Sequence, residues 1–167
     1  GNRARDGGAI YCVSGSGDVT RNWFLHNEAW LSGGGVTSVA AATRITHNRF
    51  LGNTALRRGG GVAATDGSSA LVFNNVFVRN RAAGLLSEPR GGGGVFVDAT
   101  STATILNNTL VENLAPVGGI LCSNRTANLV NNVVANGTSG IGGVTNLRLR
   151  RNNVFNNGGT NYVGIPD

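Results

Sequence analysis

The sequence predicts an all-β fold, a single-stranded right-handed parallel β-helix (a solenoid) of about six coils. Two short patterns alternate along nearly the whole chain, and apolar residues recur at fixed distances from them. Apolar residues make up 40% of the 167 positions and charged residues only 13%, so the composition is not that of a disordered chain. We therefore expect one folded domain over residues 1–167.

The first pattern is a glycine pair or run followed closely by an aliphatic residue. Glycine at a strand entry allows a positive φ and a close approach of neighbouring coils. The copies are residues 7–10, 33–36, 59–62, 91–95, 118–120 and 142–144.

The second pattern is Asn-x-apolar-x-x-Asn, whose starts lie 26, 27, 33, 24 and 21 residues apart. We expect both asparagines to be turn residues in the left-handed region, with amides that hydrogen-bond along the stack. The first asparagines are Asn22, Asn48, Asn75, Asn108, Asn132 and Asn153, and the second are Asn27, Asn53, Asn80 and Asn113.

The repeat length and its residues select the β-helix among repeat folds. Helical repeats tolerate neither glycine runs nor abundant Asn and β-branched residues. Leucine-rich repeats would show a leucine ladder, and propeller blades need about 40 residues. A coil of three short strands and three turns remains, stacked at about 4.8 Å per coil.

Two apolar columns follow from aligning the copies, and both are predicted to point inward. One column lies three residues before the first asparagine of each copy. In the last copy this position is Arg150, so we expect a one-residue bulge that returns Leu149 to the core. The extra residues of the longest interval are predicted to form an inserted loop at 81–91. The column two residues after the first asparagine is Phe24, Phe50, Phe77, Leu110, Val134 and Phe155.

The pairs Phe24–Asn27, Phe50–Asn53 and Phe77–Asn80, with the Gly-Gly-Ala-Ile motif, resemble repeats of chlamydial polymorphic outer-membrane proteins. They are also similar to bacterial surface β-helix proteins of the pectate-lyase-like superfamily, some with a choice-of-anchor domain. The resemblance implies a secreted or cell-surface, outer-membrane-associated protein. It does not select an activity, because this superfamily contains lyases, hydrolases, adhesins and phage spikes.

Enzymes of that superfamily use carboxylates clustered on adjacent coils, and the best candidates here are Asp66 and Asp98. They lie four and three residues after Val62 and Val95, so one turn of neighbouring coils could present both. With Arg125 in the next coil they could bind Ca²⁺ or a uronate. The alternative is that both are turn residues that bond to nearby backbone.

An outward Trp23 beside Arg49 on the next coil could form a sugar-stacking platform, or Trp23 could simply cover the end of the stack. His26 and His47 fall in different columns, so no metal site is predicted.

Cys12 and Cys122 share a column four coils apart, roughly 19 Å at the strand-stacking distance. A disulfide needs Cα atoms within about 7 Å, so we expect both thiols to be unpaired within the chain.

The charge pattern and the missing residue types exclude several functions. The net charge of +6 comes entirely from scattered Arg, which argues against a nucleic-acid partner. Without Lys there is no Walker-type loop and no Schiff base. No apolar run approaches the length of about 18 residues needed to span a membrane.

The chain lacks Met, and we expect it to be a fragment of a longer one. Neither end supplies a capping helix, which predicts end-to-end self-association through the uncapped coils.

The functional hypothesis is an extracellular or cell-surface, structural or adhesin-like β-helix. It would present a binding surface to a carbohydrate, such as a host or cell-surface glycan, without catalysis or a cofactor. The alternative is a fragment of a polysaccharide lyase or glycoside hydrolase acting on acidic polysaccharide. That enzyme would use Asp66, Asp98 and Arg125, with Ca²⁺ as its cofactor.

Overall fold

A computed structural model describes residues 1–84, 91–124, 126–143 and 147–165 of the chain. The described residues form short strands in three sheets, without a helix among them. Each strand pairs in parallel with the equivalent strand of the next coil, as Phe24 does with Phe50 and Phe50 with Phe77. The predicted all-β parallel β-helix is confirmed.

The strands follow one another along the chain. In chain order they are β1 (Arg3–Ala4), β2 (Ile10–Thr20), β3 (Trp23–Leu25), β4 (Glu28–Ala29), β5 (Val36–Thr46), β6 (Arg49–Leu51), β7 (Thr54–Ala55), β8 (Val62–Thr65), β9 (Ser69–Phe73), β10 (Val76–Val78), β11 (Arg81–Ala82), β12 (Val95–Val97), β13 (Thr102–Leu106), β14 (Thr109–Val111), β15 (Ile120–Cys122), β16 (Asn128–Val130), β17 (Val133–Ala135), β18 (Ile141–Gly143), β19 (Arg148–Arg150), β20 (Asn153–Phe155) and β21 (Tyr162–Val163).

The coils pass in turn through an 11-stranded and a 6-stranded sheet, and those as far as β11 also contribute a strand to a 4-stranded sheet. In the first coils the path through the 11-stranded sheet is a single strand of 11 residues, β2 or β5. Later coils divide the same path into two strands, such as β8 and β9, which are separated by the turn at residues 66–68. This turn divides the outer surface of the large sheet into two halves, on which the candidate sites lie.

Stacked apolar side chains fill the interior, as the column alignment predicted. The rings of Phe24, Phe50 and Phe77 lie parallel, with successive centroids 4.6 Å apart. The column continues through Leu110, Val134 and Val154. Like side chains therefore pack on like, and Phe50 is only 1% exposed.

The last coil corrects the predicted positions of Asn153 and Phe155. Its ladder residue is Asn152, which accepts hydrogen bonds from Asn132. Both predicted residues therefore face outward, and Phe155 is 45% exposed. A shift of one residue moves every side chain to the opposite face of the strand. With Asn152 as the start, Leu149 pairs with Leu129 without a bulge.

The asparagines form two internal ladders of hydrogen bonds. Asn75 is representative, because its Nδ2 donates to the carbonyl of Ile45 (2.8 Å) and to Oδ1 of Asn108 (3.0 Å). Its own Oδ1 accepts from the backbone N and Nδ2 of Asn48, at 2.9 and 3.1 Å. The first ladder runs through Asn22, Asn48, Asn75, Asn108, Asn132 and Asn152, and the second through Asn27, Asn53, Asn80 and Asn113.

The left-handed turn residues are not the ladder asparagines, contrary to the prediction, but the residues immediately before the ladder positions, one of which is occupied by Gly137. These residues have φ between +52° and +63°, and apart from Gly52 their side chains point outward, so the next side chain can point inward. They are Arg21, His47, Asn74, Asn107, Asn131 and Arg151 in one column and His26, Gly52, Arg79, Glu112, Asn136 and Asn156 in the other.

Both ends of the predicted loop at 81–91 lie in paired segments of the coils. Arg81 and Ala82 form β11 and pair with β7, while Gly91 bridges to Val117. Residues 85–90, which make up most of the predicted loop, lie outside the described residues. In the last coil the aliphatic that follows glycine is Ile141, which pairs with Ile120, and Val144 also lies outside the described residues.

Candidate functional site

An open groove of about 510 Å³ crosses the outward face of the large sheet, just after the turn that divides it. Its floor is a column of small side chains from consecutive coils, Ser16, Ala42, Ser69 and Thr102. Thr126 extends the lining toward the C-terminal coils. From Ser16 to Thr126 the groove spans about 19 Å at the coil spacing, so it can accommodate an extended molecule.

One wall of the groove carries its charged and apolar groups. Arg44, Leu71 and Thr104 occupy the next outward column. The Arg44 Nε lies 3.2 Å from an Asp18 oxygen, but both side chains are about two-thirds exposed. Exposed pairs of this kind are worth little, so the Arg44 guanidinium can exchange this partner for a ligand.

The structure brings Asp66 and Asp98 to the same turn of adjacent coils, as predicted. The backbone N of Asp66 donates to Oδ2 of Asp98 at 2.8 Å. The other Asp98 oxygen accepts from the N and Oγ1 of Thr100 and from the N of Ser101, at 2.8 to 3.1 Å. The Asp98 carboxylate therefore holds its own turn and the turn of the preceding coil.

These hydrogen bonds also set the proton affinity of Asp98. Partial burial acts to raise the pKa of its carboxyl, but the bonds from Asp66, Ser101 and Thr100 outweigh it and hold that pKa below its ordinary value. A general acid needs the opposite shift. The geometry thus fits the alternative of backbone-bonded turn residues better than catalysis. Arg125, the third predicted residue, lies outside the described residues.

Trp23 and Arg49 lie in contact on the outer face of the 6-stranded sheet. The Arg49 guanidinium carbon is 4.7 Å from the centroid of the Trp23 ring, a cation–π arrangement. Arg49 covers the side of the ring that faces the next coil, yet Trp23 remains 62% exposed. Binding of a sugar by this pair stays a prediction.

The two cysteines share one column, Cys12, Ser38, Ala64, Val97 and Cys122, and both are free. Burial raises the pKa of the Cys122 thiol to about 12, and that of Cys12 is also raised by burial. Neither environment favours the reactive thiolate.

The histidines lie in separate columns, and His47 bonds to the side chain of Asn74. Within the described ranges no three His, Cys, Asp or Glu side chains cluster as a metal site would require. The same ranges contain no helix with the length and apolarity to cross a membrane.

The hydroxyl-lined groove is not among the sites predicted from sequence, which depend on carboxylates and on aromatic residues. Its signal was present in the alternation of the strands, since Ser69 and Thr102 stand three residues before the inward Val72 and Ile105. Once the inward column is fixed, the outward small residues can be read from the same alignment.

A comparison with family models matches residues 1–157 to the family described as the right handed beta helix region. The chain belongs to this family. The match establishes the right-handed β-helix and supports the fold rather than an activity. Searches of curated proteins and of solved structures gave no match.

Proposed function

We propose that this β-helix is a secreted or cell-surface domain that binds a carbohydrate chain along its hydroxyl-lined groove without cleaving it. The observation that carries the proposal is the groove itself, with its small floor and its hydroxyl side chains from successive coils. Its extracellular location is proposed from the resemblance of the repeats to those of bacterial surface proteins.

The chemistry of the groove suits a sugar polymer. Ser and Thr hydroxyls both donate and accept hydrogen bonds, which matches the hydroxyl groups of a pyranose. Leu71 offers an apolar contact, and Arg44 offers a charged donor for a ring oxygen or an acidic substituent. Ligand sites commonly combine an apolar surface with a few polar groups that fix orientation.

Binding is favoured over cleavage because Asp98 is already used by its turn. The enzyme alternative needs Asp66 and Asp98 to act together with Arg125, and with Ca²⁺ or as an acid and a base. An Asp98 with four hydrogen bonds and a lowered pKa is poorly placed to exchange protons with a substrate.

Isothermal titration against a panel of neutral and acidic oligosaccharides tests the proposal. We expect binding that Ser69→Trp abolishes, because an indole on the groove floor occupies the space of the ligand. Thr109→Trp, at an outward position of the 6-stranded sheet, should leave binding unchanged. Equal affinity of the Ser69→Trp variant and the unmodified protein, or no binding to any glycan, would contradict the proposal.

A cleavage assay on the same panel, with and without Ca²⁺, distinguishes the two functions. We expect no products from the unmodified protein. Calcium-dependent cleavage that Asp98→Ala removes would establish the enzyme alternative and overturn the binding role.

A further inference from the structure

A second space lies outside the β-helix core. It is bounded on one side by the part of the large sheet that precedes the turn at residues 66–68 in each coil, and on the other by the segments that lead into each glycine run. In the central and later coils apolar side chains fill this space. Ala63, Phe96 and Leu121 form a cluster there, separate from the main core, with Val117 packed against it. Phe96 is 1% exposed although it points away from the coil interior. Side chains therefore fill the outer space over these coils.

Toward the N-terminal coils the same space opens into a polar cavity of about 270 Å³. Arg5, Arg57 and Arg58 line it from the side of the glycine-run segments. Tyr11 in β2 and Thr65 in β8, both in the large sheet, line it from the other side. Three arginines and two hydroxyl-bearing residues thus line one partly open volume.

Arg58 is held in place with unused hydrogen-bonding capacity. Its guanidinium carbon lies 5.0 Å from the centroid of the Phe96 ring, so the cation rests on the edge of the apolar cluster. Its Nε is shielded from solvent and has no hydrogen-bond partner among the described residues. Arg58 as a whole is partly exposed, so a ligand in the cavity would meet the atoms of its side chain other than Nε.

The charges around the cavity favour an anion. Asp6 and Asp66 also line it, but Asp6 accepts a hydrogen bond from the backbone N of Ser32. Ion pairs within the described residues involve Arg3, Arg44 and Arg79. None of the three cavity arginines is therefore neutralised by a carboxylate at contact distance in that part of the chain, and three cations against two anions leave a positive excess.

We propose that this cavity binds an oxyanion, with Arg58 as its central donor. The two terminal nitrogens of a guanidinium form a planar fork that fits two oxygens of a sulfate, phosphate or carboxylate group. Arg5 and Arg57 add charge, and the Tyr11 and Thr65 hydroxyls can donate to the remaining oxygens. The site is independent of the glycan groove, because the two lie on opposite sides of the turn at residues 66–68.

Titration with inorganic sulfate at constant ionic strength, with chloride as the balancing anion, tests the proposal by calorimetry and by the rise in Tm. We expect saturable binding whose Kd rises about tenfold or more in Arg58→Gln, since charge-assisted bonds are lost. Arg5→Gln, at an exposed position, should weaken binding even if Arg58→Gln fails to fold. Arg148→Gln removes the same charge from a remote strand and should leave Kd unchanged.

Parallel titrations with inorganic phosphate and with glucuronate identify which source of the oxyanion the site prefers. Ser69→Trp should bind sulfate normally, so a failure of the groove proposal leaves this one standing. A calorimetric signal and a rise in Tm that do not saturate with sulfate would mean that only general charge screening operates. Equal losses of sulfate affinity in Arg5→Gln and Arg148→Gln would mean the same. Either result would overturn the site.

Discussion

A buried asparagine in this fold works as a connector between three successive coils. The Asn75 amide bonds to Asn48, to Asn108 and to the carbonyl of Ile45. Asparagine suits this place because one short side chain carries both a donor and an acceptor. The same reasoning explains Asp98, whose carboxylate only accepts and therefore occupies a turn that offers backbone N–H groups.

We expect Asn75→Ala to lower the free energy of unfolding by at least about 2 kcal/mol, because the Asn48 N–H and the Ile45 carbonyl lose buried partners. Asn22→Ala, in the same ladder but at an exposed position, should cost about 1 kcal/mol or less. Urea unfolding followed by circular dichroism measures both. Equal losses in the two variants would show that burial of the ladder does not determine its contribution.

At the scale of the strand, the stacked column of Phe24, Phe50 and Phe77 and the faces of most strands could be predicted from sequence. The repeat fixes which position points inward, and stacking follows from the parallel pairing. The last coil was misplaced although the sequence distinguishes the two adjacent asparagines. The full pattern starts at Asn152 and ends at Asn157, whereas the sixth residue from Asn153 is Gly158. The packing of Leu149 and Val154 against the preceding coil confirms the start at Asn152.

The candidate site was harder to predict than the core. Asp66 and Asp98 were brought together as expected, but the hydrogen bonds that occupy Asp98 depend on turn geometry that the spacing alone does not specify. The hydroxyl-lined groove exists because the turn at residues 66–68 rises above the adjacent strand surface. An alignment of columns shows which side chains point outward but not the height of a turn above them.

The corrected register of the last coil leads to a matched pair of substitutions. Phe50→Ala should destabilise the protein by about 3–5 kcal/mol, because it leaves a cavity between two stacked rings. Phe155→Ala removes an outward, partly exposed ring and should change stability by about 0.5 kcal/mol or less. Thermal and urea unfolding of both variants would check this. A comparable loss in Phe155→Ala would place that ring in the core and contradict the register.

For the molecule as a whole, the described residues leave β2 paired along one edge only, with β5. Unpaired edges of parallel strands are sites of association. The outward column that begins with Leu25 ends with Phe155, and these two side chains are 41% and 45% exposed. If the last coil of one copy stacked on the first coil of another, these residues would come together.

We therefore expect the 167-residue chain to associate increasingly with concentration in sedimentation experiments. Leu25→Lys should weaken this association, since it places a charge where an apolar contact would form. Val76→Lys introduces the same charge at a partly exposed position of an inner coil and should have little effect. A protein that remains monomeric at high concentration would rule out end-to-end contacts.

The amide ladders also give the stack a direction. In both ladders the bonds between amide side chains run one way: each Nδ2 donates to the Oδ1 of the next asparagine toward the C-terminus. The two ends of the molecule are therefore complementary to each other and not to themselves. Contacts of that kind do not close into a symmetric dimer; when translation rather than rotation relates the copies, they propagate as a fibre whose two tips differ chemically.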